Sequence, residues 1–87
     1  MPYIEKTLRG IFDARVDSLA KDISNVGDLN YTITRLAHQY LKKIGVKYAN
    51  LSAVGGVLAD VRDEYYRRVV SPYEDQKILD NGDVGVL

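Results

Sequence analysis

The sequence predicts an all-α fold, a compact bundle of three main helices with a short fourth, and three observations carry that prediction. Apolar residues recur at three- and four-residue steps through most of the chain, the spacing that lines up side chains on one helical face. The breaks between those runs hold residues that start or stop helices, at Asn25-Val26-Gly27-Asp28, Gly45, Asn50 and Ser71-Pro72. At 87 residues, with no internal repeat, linker or low-complexity tract, the chain reads as a single domain spanning residues 1–87.

Pro2, Tyr3 and Ile4 form an extended lead-in, since proline suits an arm or a first turn better than a helix interior. A first helix is expected over about residues 5–24, with Leu8, Phe12, Val16, Leu19 and Ile23 on one face and Gly10 weakening its first turns. Gly27 reads as a turn and Asp28 as the cap of a second helix, over about residues 29–44. Its stripe is Leu29, Ile33, Leu36, Ala37, Tyr40 and Ile44; Gly45 ends it, and Lys42 and Lys43 favour the negative end of its dipole.

Asn50 is expected to cap a third helix over about residues 51–70, around which the chain is organised. Val54, Val57, Val61, Tyr65 and Val69 form one stripe; Gly55, Ala59, Tyr66 and Val70 form another, turned more than a third of a turn away. A second apolar face calls for a second partner, so Gly55, Ala59, Tyr66 and Val70 are the candidate oligomer interface. Gly55 and Gly56 fit either a close helix crossing or an irregular first turn. Proline drives the preceding residue out of the α region, so Ser71-Pro72 should end the third helix. With Glu74, Ser71 and Pro72 resemble a capping box that opens a short fourth helix over about residues 72–80, closed by Asn81-Gly82. The tail is free unless Val84, Val86 and Leu87 dock on a neighbour.

Composition limits function. Twelve basic and twelve acidic residues give zero formal charge, which disfavours nucleic acid and anionic membranes as partners of the whole molecule. No run approaches the ~20 apolar residues of a membrane span, and the start lacks a signal peptide's apolar core. The absence of cysteine removes disulfides and thiolate metal sites, and the cytoplasm is the expected compartment. Seven tyrosines against one phenylalanine and no tryptophan suit rings that are part buried while their hydroxyls meet water or a partner.

An enzyme is disfavoured. One histidine and no cysteine leave no thiol nucleophile, histidine relay or multi-histidine metal site. Ser52 lacks a G-x-S-x-G elbow, no phosphate-binding glycine loop is present, and Asp63 and Glu64 are adjacent and point apart on a helix. Asp80-Asn81-Gly82-Asp83 lacks the spacing of a calcium loop and reads as a cap, so no metal or other cofactor is expected.

Two clusters could bind an anion. Tyr31, Arg35, His38 and Lys42 recur at helical spacing on the outer face of the second helix, where they form either a row for a phosphate with a flat base or a solvated face. Tyr65, Tyr66, Arg67 and Arg68, with Arg62 before them and Tyr73 and Lys77 after, form the second cluster. Arg68 there is either a clamp to Glu74 or Asp75 or a ligand contact, and Tyr73 either a wedge at a helix junction or a stacking platform.

The opening MPYI, the middle LNYTITRL and the run EYYRRVVSPYEDQKILDNGDV resemble a domain-of-unknown-function family of short bacteriophage and bacterial proteins, most densely over residues 64–84. The resemblance brings no catalytic residues. It implies a phage or prophage setting, where many small proteins bind and block a host component and one class of compact oligomers sequesters nucleotide-derived immune signals. The chain is similar to that class in size, in lacking catalytic motifs and in its Arg/Tyr/Lys clusters. The leading expectation is therefore a non-enzymatic homo-oligomer that takes up a phosphate-containing ligand at subunit junctions. The alternative is a protein-interaction module that blocks or bridges a host protein.

Overall fold

The computed structural model describes residues 2–85. They form α1 (Lys6–Asp22), α2 (Val26–Ile44), α3 (Tyr48–Tyr65), a π-helical turn (Tyr66–Val70) and α4 (Ser71–Asn81). The all-α class and the order of helices are those the periodicity predicts; several boundaries move, each for a local reason. Val86 and Leu87 lie outside the described residues.

The arm turns into α1 through bonds from the Ile4 amide to the Pro2 carbonyl (3.0 Å) and from Arg9 Nε to the Ile4 carbonyl (2.9 Å). Helix α1 ends at Asp22, two residues sooner than expected, where Ile23 becomes extended. Helix α2 starts at Val26, three residues before the expected start, because Asn25 rather than Asp28 is its cap. Asn25 Oδ1 accepts from the Asp28 amide at 2.8 Å, and Asp28 Oδ2 accepts from the Ser24 amide at 3.1 Å. This reciprocal pair satisfies two free donors at the helix start and draws Gly27 into the first turn instead of leaving it in a loop. Gly45 ends α2 as expected: its φ of 105° lies where only glycine is unstrained, and its amide bonds the Leu41 carbonyl at 2.8 Å.

Helix α3 begins at Tyr48, and Asn50 does not cap it. The Asn50 side chain turns back and donates from Nδ2 to the carbonyls of Ile44 (3.2 Å) and Gly45 (2.9 Å), closing the end of α2. The larger correction comes at Ser71-Pro72. Ser71 keeps helical angles (φ −58°, ψ −48°), and α3, the π turn and α4 run on as one rod from Tyr48 to Asn81 with no capping box at Ser71. In an α-helix the Pro72 ring would strike the Arg68 carbonyl and leave it without a donor. The wider turn, with the Ser71 amide bonded to the Tyr66 carbonyl, places the disruption just before the proline and lets the helix continue.

Helices α2 and α3 form an antiparallel hairpin that meets along residues 33–41 and 51–58. No described Cα atom of α1 comes within 8 Å of one in another helix. One end is joined to α2 through residues 23–25, and the arm before the other end reaches α3, where the Tyr3 hydroxyl donates to Glu64. With its ends tied to different helices, α1 is a strut across the mouth of the hairpin rather than a third packed layer.

The bundle is therefore more open than the compact one the periodicity predicts. No described residue is fully buried. The radius of gyration is 17.1 Å, against about 12 Å for a compact domain of this length. The accessible surface is 7978 Å², against roughly 5,200 Å² for a folded monomer of this mass.

Candidate functional site

An apolar groove of about 280 Å³ lies between α2 and α3. Ile33, Ala37 and Leu41 line it from α2; Leu51, Val54 and Leu58 line it from α3, with Thr34 and His38 as its polar members. These side chains converge because both helices place apolar residues at three- and four-residue steps and the Gly45 turn sets those faces opposite each other. Gly55 also lies in the groove, yet a methyl group added there or at Gly56 would meet nothing within 4 Å. Within one chain neither glycine sits at a tight helix crossing. Gly55 leaves room on the groove wall. Of the other expected interface residues, Ala59 and Tyr66 are exposed and Val70, the last residue of the π turn, is half-buried.

The expected row on α2 divides. His38 lines the groove, whereas Tyr31 belongs to a separate shallow patch with Val26, Gly27, Asn30 and Thr34. Among the described residues, no hydrogen bond or ion pair ties Arg35, His38 or Lys42 to another side chain.

The second cluster forms around Glu64, a residue the sequence reading does not single out. The carboxylate is only 23% exposed, accepts from the Tyr3 hydroxyl, and pairs with Arg67 Nη2 at 2.8 Å. The Tyr3 bond is the main cause holding the Glu64 carboxyl below its ordinary 4.5, with Arg67 and Arg68 acting in the same direction. The same bond raises the Tyr3 hydroxyl above its ordinary 10.0, with partial desolvation adding to it. Arg68 therefore sits by this clasp, and no described ion pair links it to Glu74 or Asp75. The ion pair in this region belongs to Arg67, one residue earlier. Tyr65, Tyr66 and Tyr73 are about 60% exposed, at 60%, 58% and 61%. Because the rod is continuous, Tyr73 has no helix junction to wedge; Lys77 Nζ lies 5.4 Å from its ring centre, a cation-π pair at one end of the cluster.

Helix α2 touches α3 but neither the π turn nor α4, so one chain keeps the Tyr31/Arg35/His38 row apart from the cluster that runs from Tyr65 to Lys77. The i,i+3 spacing of Glu64 and Arg67 could have signalled their pair. Nothing in the sequence could have signalled Tyr3, which is 61 residues from Glu64.

The molecule is thus an all-α domain whose apolar helix faces stay largely open and in which the residues singled out on α2 lie apart from those between Tyr65 and Lys77. Over residues 1–84 it matches the family described as Domain of unknown function (DUF6899), and it belongs to that family. No curated protein and no solved structure matches the chain. No helix among the described residues is long and apolar enough to cross a membrane.

Proposed function

We propose that the chain is a non-enzymatic binding protein that assembles with copies of itself and takes up a small anionic ligand at the junctions between copies. The observation that carries this reading is the uncovered surface: about 2,800 Å² beyond what a folded monomer of this mass exposes. That excess exceeds the ~800 Å² each partner buries in an interface of standard size. The two cationic and aromatic clusters support the ligand. A single chain holds them apart, and packing against a second copy is the simplest way to bring Tyr31, Arg35 and His38 towards Tyr65, Tyr66, Arg67, Arg68, Tyr73 and Lys77. Arginine and lysine would meet phosphate while tyrosine stacks on a flat base. In the phage or prophage setting that the family resemblance suggests, the ligand is a nucleotide-derived defence signal and the activity is sequestration.

The test is a thermal-shift screen against mono-, di- and cyclic nucleotides, followed by heat release of whatever binds. A ligand at 100 times its dissociation constant stabilises by roughly 2.7 kcal/mol, and sequestration returns it chemically intact. An altered product would instead mean an enzyme. The second reading, a module that blocks a host protein, draws on the exposed stripe of α1, which a foreign helix or groove could cover. It predicts no nucleotide shift and a stable complex with a host protein.

A further inference from the structure

The chain carries two unmatched apolar features. One is the α1 stripe, in which Leu8, Phe12 and Leu19 remain 47%, 50% and 45% exposed. The other is the α2–α3 groove, whose wall at Gly55 has open space. We propose that the α1 stripe of one copy lies in the α2–α3 groove of a second copy and that the exchange is reciprocal, each copy giving one helix and receiving one. This inference rests on the self-assembly reading above and specifies its interface.

Geometry keeps α1 from filling the groove of its own chain. The Tyr3–Glu64 bond ties the start of α1 to the far end of α3, and residues 23–25 tie its finish to the start of α2. Both anchors lie at the mouth of the hairpin, away from the Gly45 turn. A helix stretched between them cannot also lie along residues 33–41 and 51–58 without breaking the clasp.

Held as a strut, α1 leaves its stripe about half exposed. The stripe from Leu8 to Leu19 runs about 17 Å along α1 and the groove wall from Ile33 to Leu41 about 12 Å along α2, so the stripe is long enough to cover the whole groove. Phe12, the only phenylalanine in the chain, is bulky enough to use the space beside Gly55. A two-fold arrangement satisfies both unmatched surfaces at once, because each copy carries one of each.

The wild-type protein provides the main test. Uniformly labelled and unlabelled copies are unfolded together, refolded as a 1:1 mixture and studied by isotope-filtered nuclear Overhauser spectroscopy. The expected result is a set of contacts between copies from the Phe12 ring and Leu19 methyls to Ile33, Val54 and Leu58. An oligomer whose Phe12 and Leu19 make no such inter-copy contacts overturns the exchange and leaves self-assembly standing. A monomer by sedimentation overturns both. As a second measurement, Phe12→Ala raises the dissociation constant of the assembly at least ~30-fold, the threshold of an interface hot spot. Asp17→Ala, on the opposite face of α1, leaves it within about twofold; equal effects from both substitutions would also overturn the exchange.

Discussion

Replacing Asn50 by aspartate separates two roles that the sequence alone leaves confounded. As the cap of a helix starting at Leu51, Asn50 would tolerate aspartate with almost no loss, because the two residues are nearly equivalent at that position. In the structure the Asn50 amide instead donates to the carbonyls of Ile44 and Gly45, at 3.2 and 2.9 Å. Carbonyls only accept, so an aspartate there loses both bonds and sets a negative charge against two oxygens at the negative end of the α2 dipole. Each lost bond costs about 0.5–1.5 kcal/mol and the dipole clash adds about 0.3–1 kcal/mol, for a total near 2–3 kcal/mol. Asn50→Ala loses the two bonds without adding the charge and costs about 1–3 kcal/mol. Urea unfolding followed by circular dichroism provides the assay, at one fixed protein concentration because the stability of an assembly depends on it. With a slope of about 1–2 kcal/mol per molar for a chain of this size, the aspartate variant should unfold about 1–3 M earlier than the wild type and earlier than the alanine variant. An aspartate variant as stable as the wild type would refute the backward-facing amide, and with it the turn that sets α2 against α3.

Three further outcomes follow from other parts of the chain. The Tyr3–Glu64 clasp has a defined pH window: a depressed carboxyl contributes stability above its ordinary 4.5 that is lost as pH falls through the folded value, and a raised hydroxyl contributes stability below 10.0 that is lost as pH rises through its folded value. The Tyr3 ring resonances should therefore hold steady across neutral pH and move at both extremes, and Glu64→Gln should abolish the acid transition at Tyr3. Pro72→Ala removes the ring that disfavours an α-turn, so the midpoint of urea unfolding should rise and the amide pattern of Tyr66–Val70 should move towards α-helix; a lower midpoint would contradict proline as the cause of the π turn. For the ligand, Arg68→Ala should weaken nucleotide binding at least tenfold while leaving the fold intact by circular dichroism, because Arg68 makes no described hydrogen bond or ion pair that its loss would break.

What the sequence made legible was local, and what it hid was pairing. The 3.6-residue period shows that Leu8, Phe12 and Leu19 share a face, but the same pattern describes a helix packed in its own chain and one packed on another copy. Capping chemistry is legible to within a turn. Asp28 reads as the cap of α2, yet Asn25, three residues earlier, caps it and the two act together; Asn50 reads as the cap of α3, yet its amide, both donor and acceptor, donates backwards instead. Pro72 was read by a rule that assumes α geometry, and a π turn evades that rule by changing the hydrogen-bond register. The site was less legible than the fold, because the Tyr3–Glu64 contact depends on the path of α1, which no periodicity specifies.

The pairing question bears directly on function. A helix with two apolar faces implied a second partner, and the structure broadens that deficit beyond α3 to α1 and the α2–α3 groove, with no described residue fully buried. A short chain gains stability chiefly from apolar area removed from water, and at this length even a well-packed monomer is marginal. Selection for a self-sufficient monomer would fill Gly55 and fold α1 inward. The glycine beside the apolar groove and the apolar helix held away from it are the two features that the proposed assembly would use. On the proposed reading the assembly is the prior step: the residues on α2 and those around Arg67 could act as one site only in an arrangement that a single copy does not make.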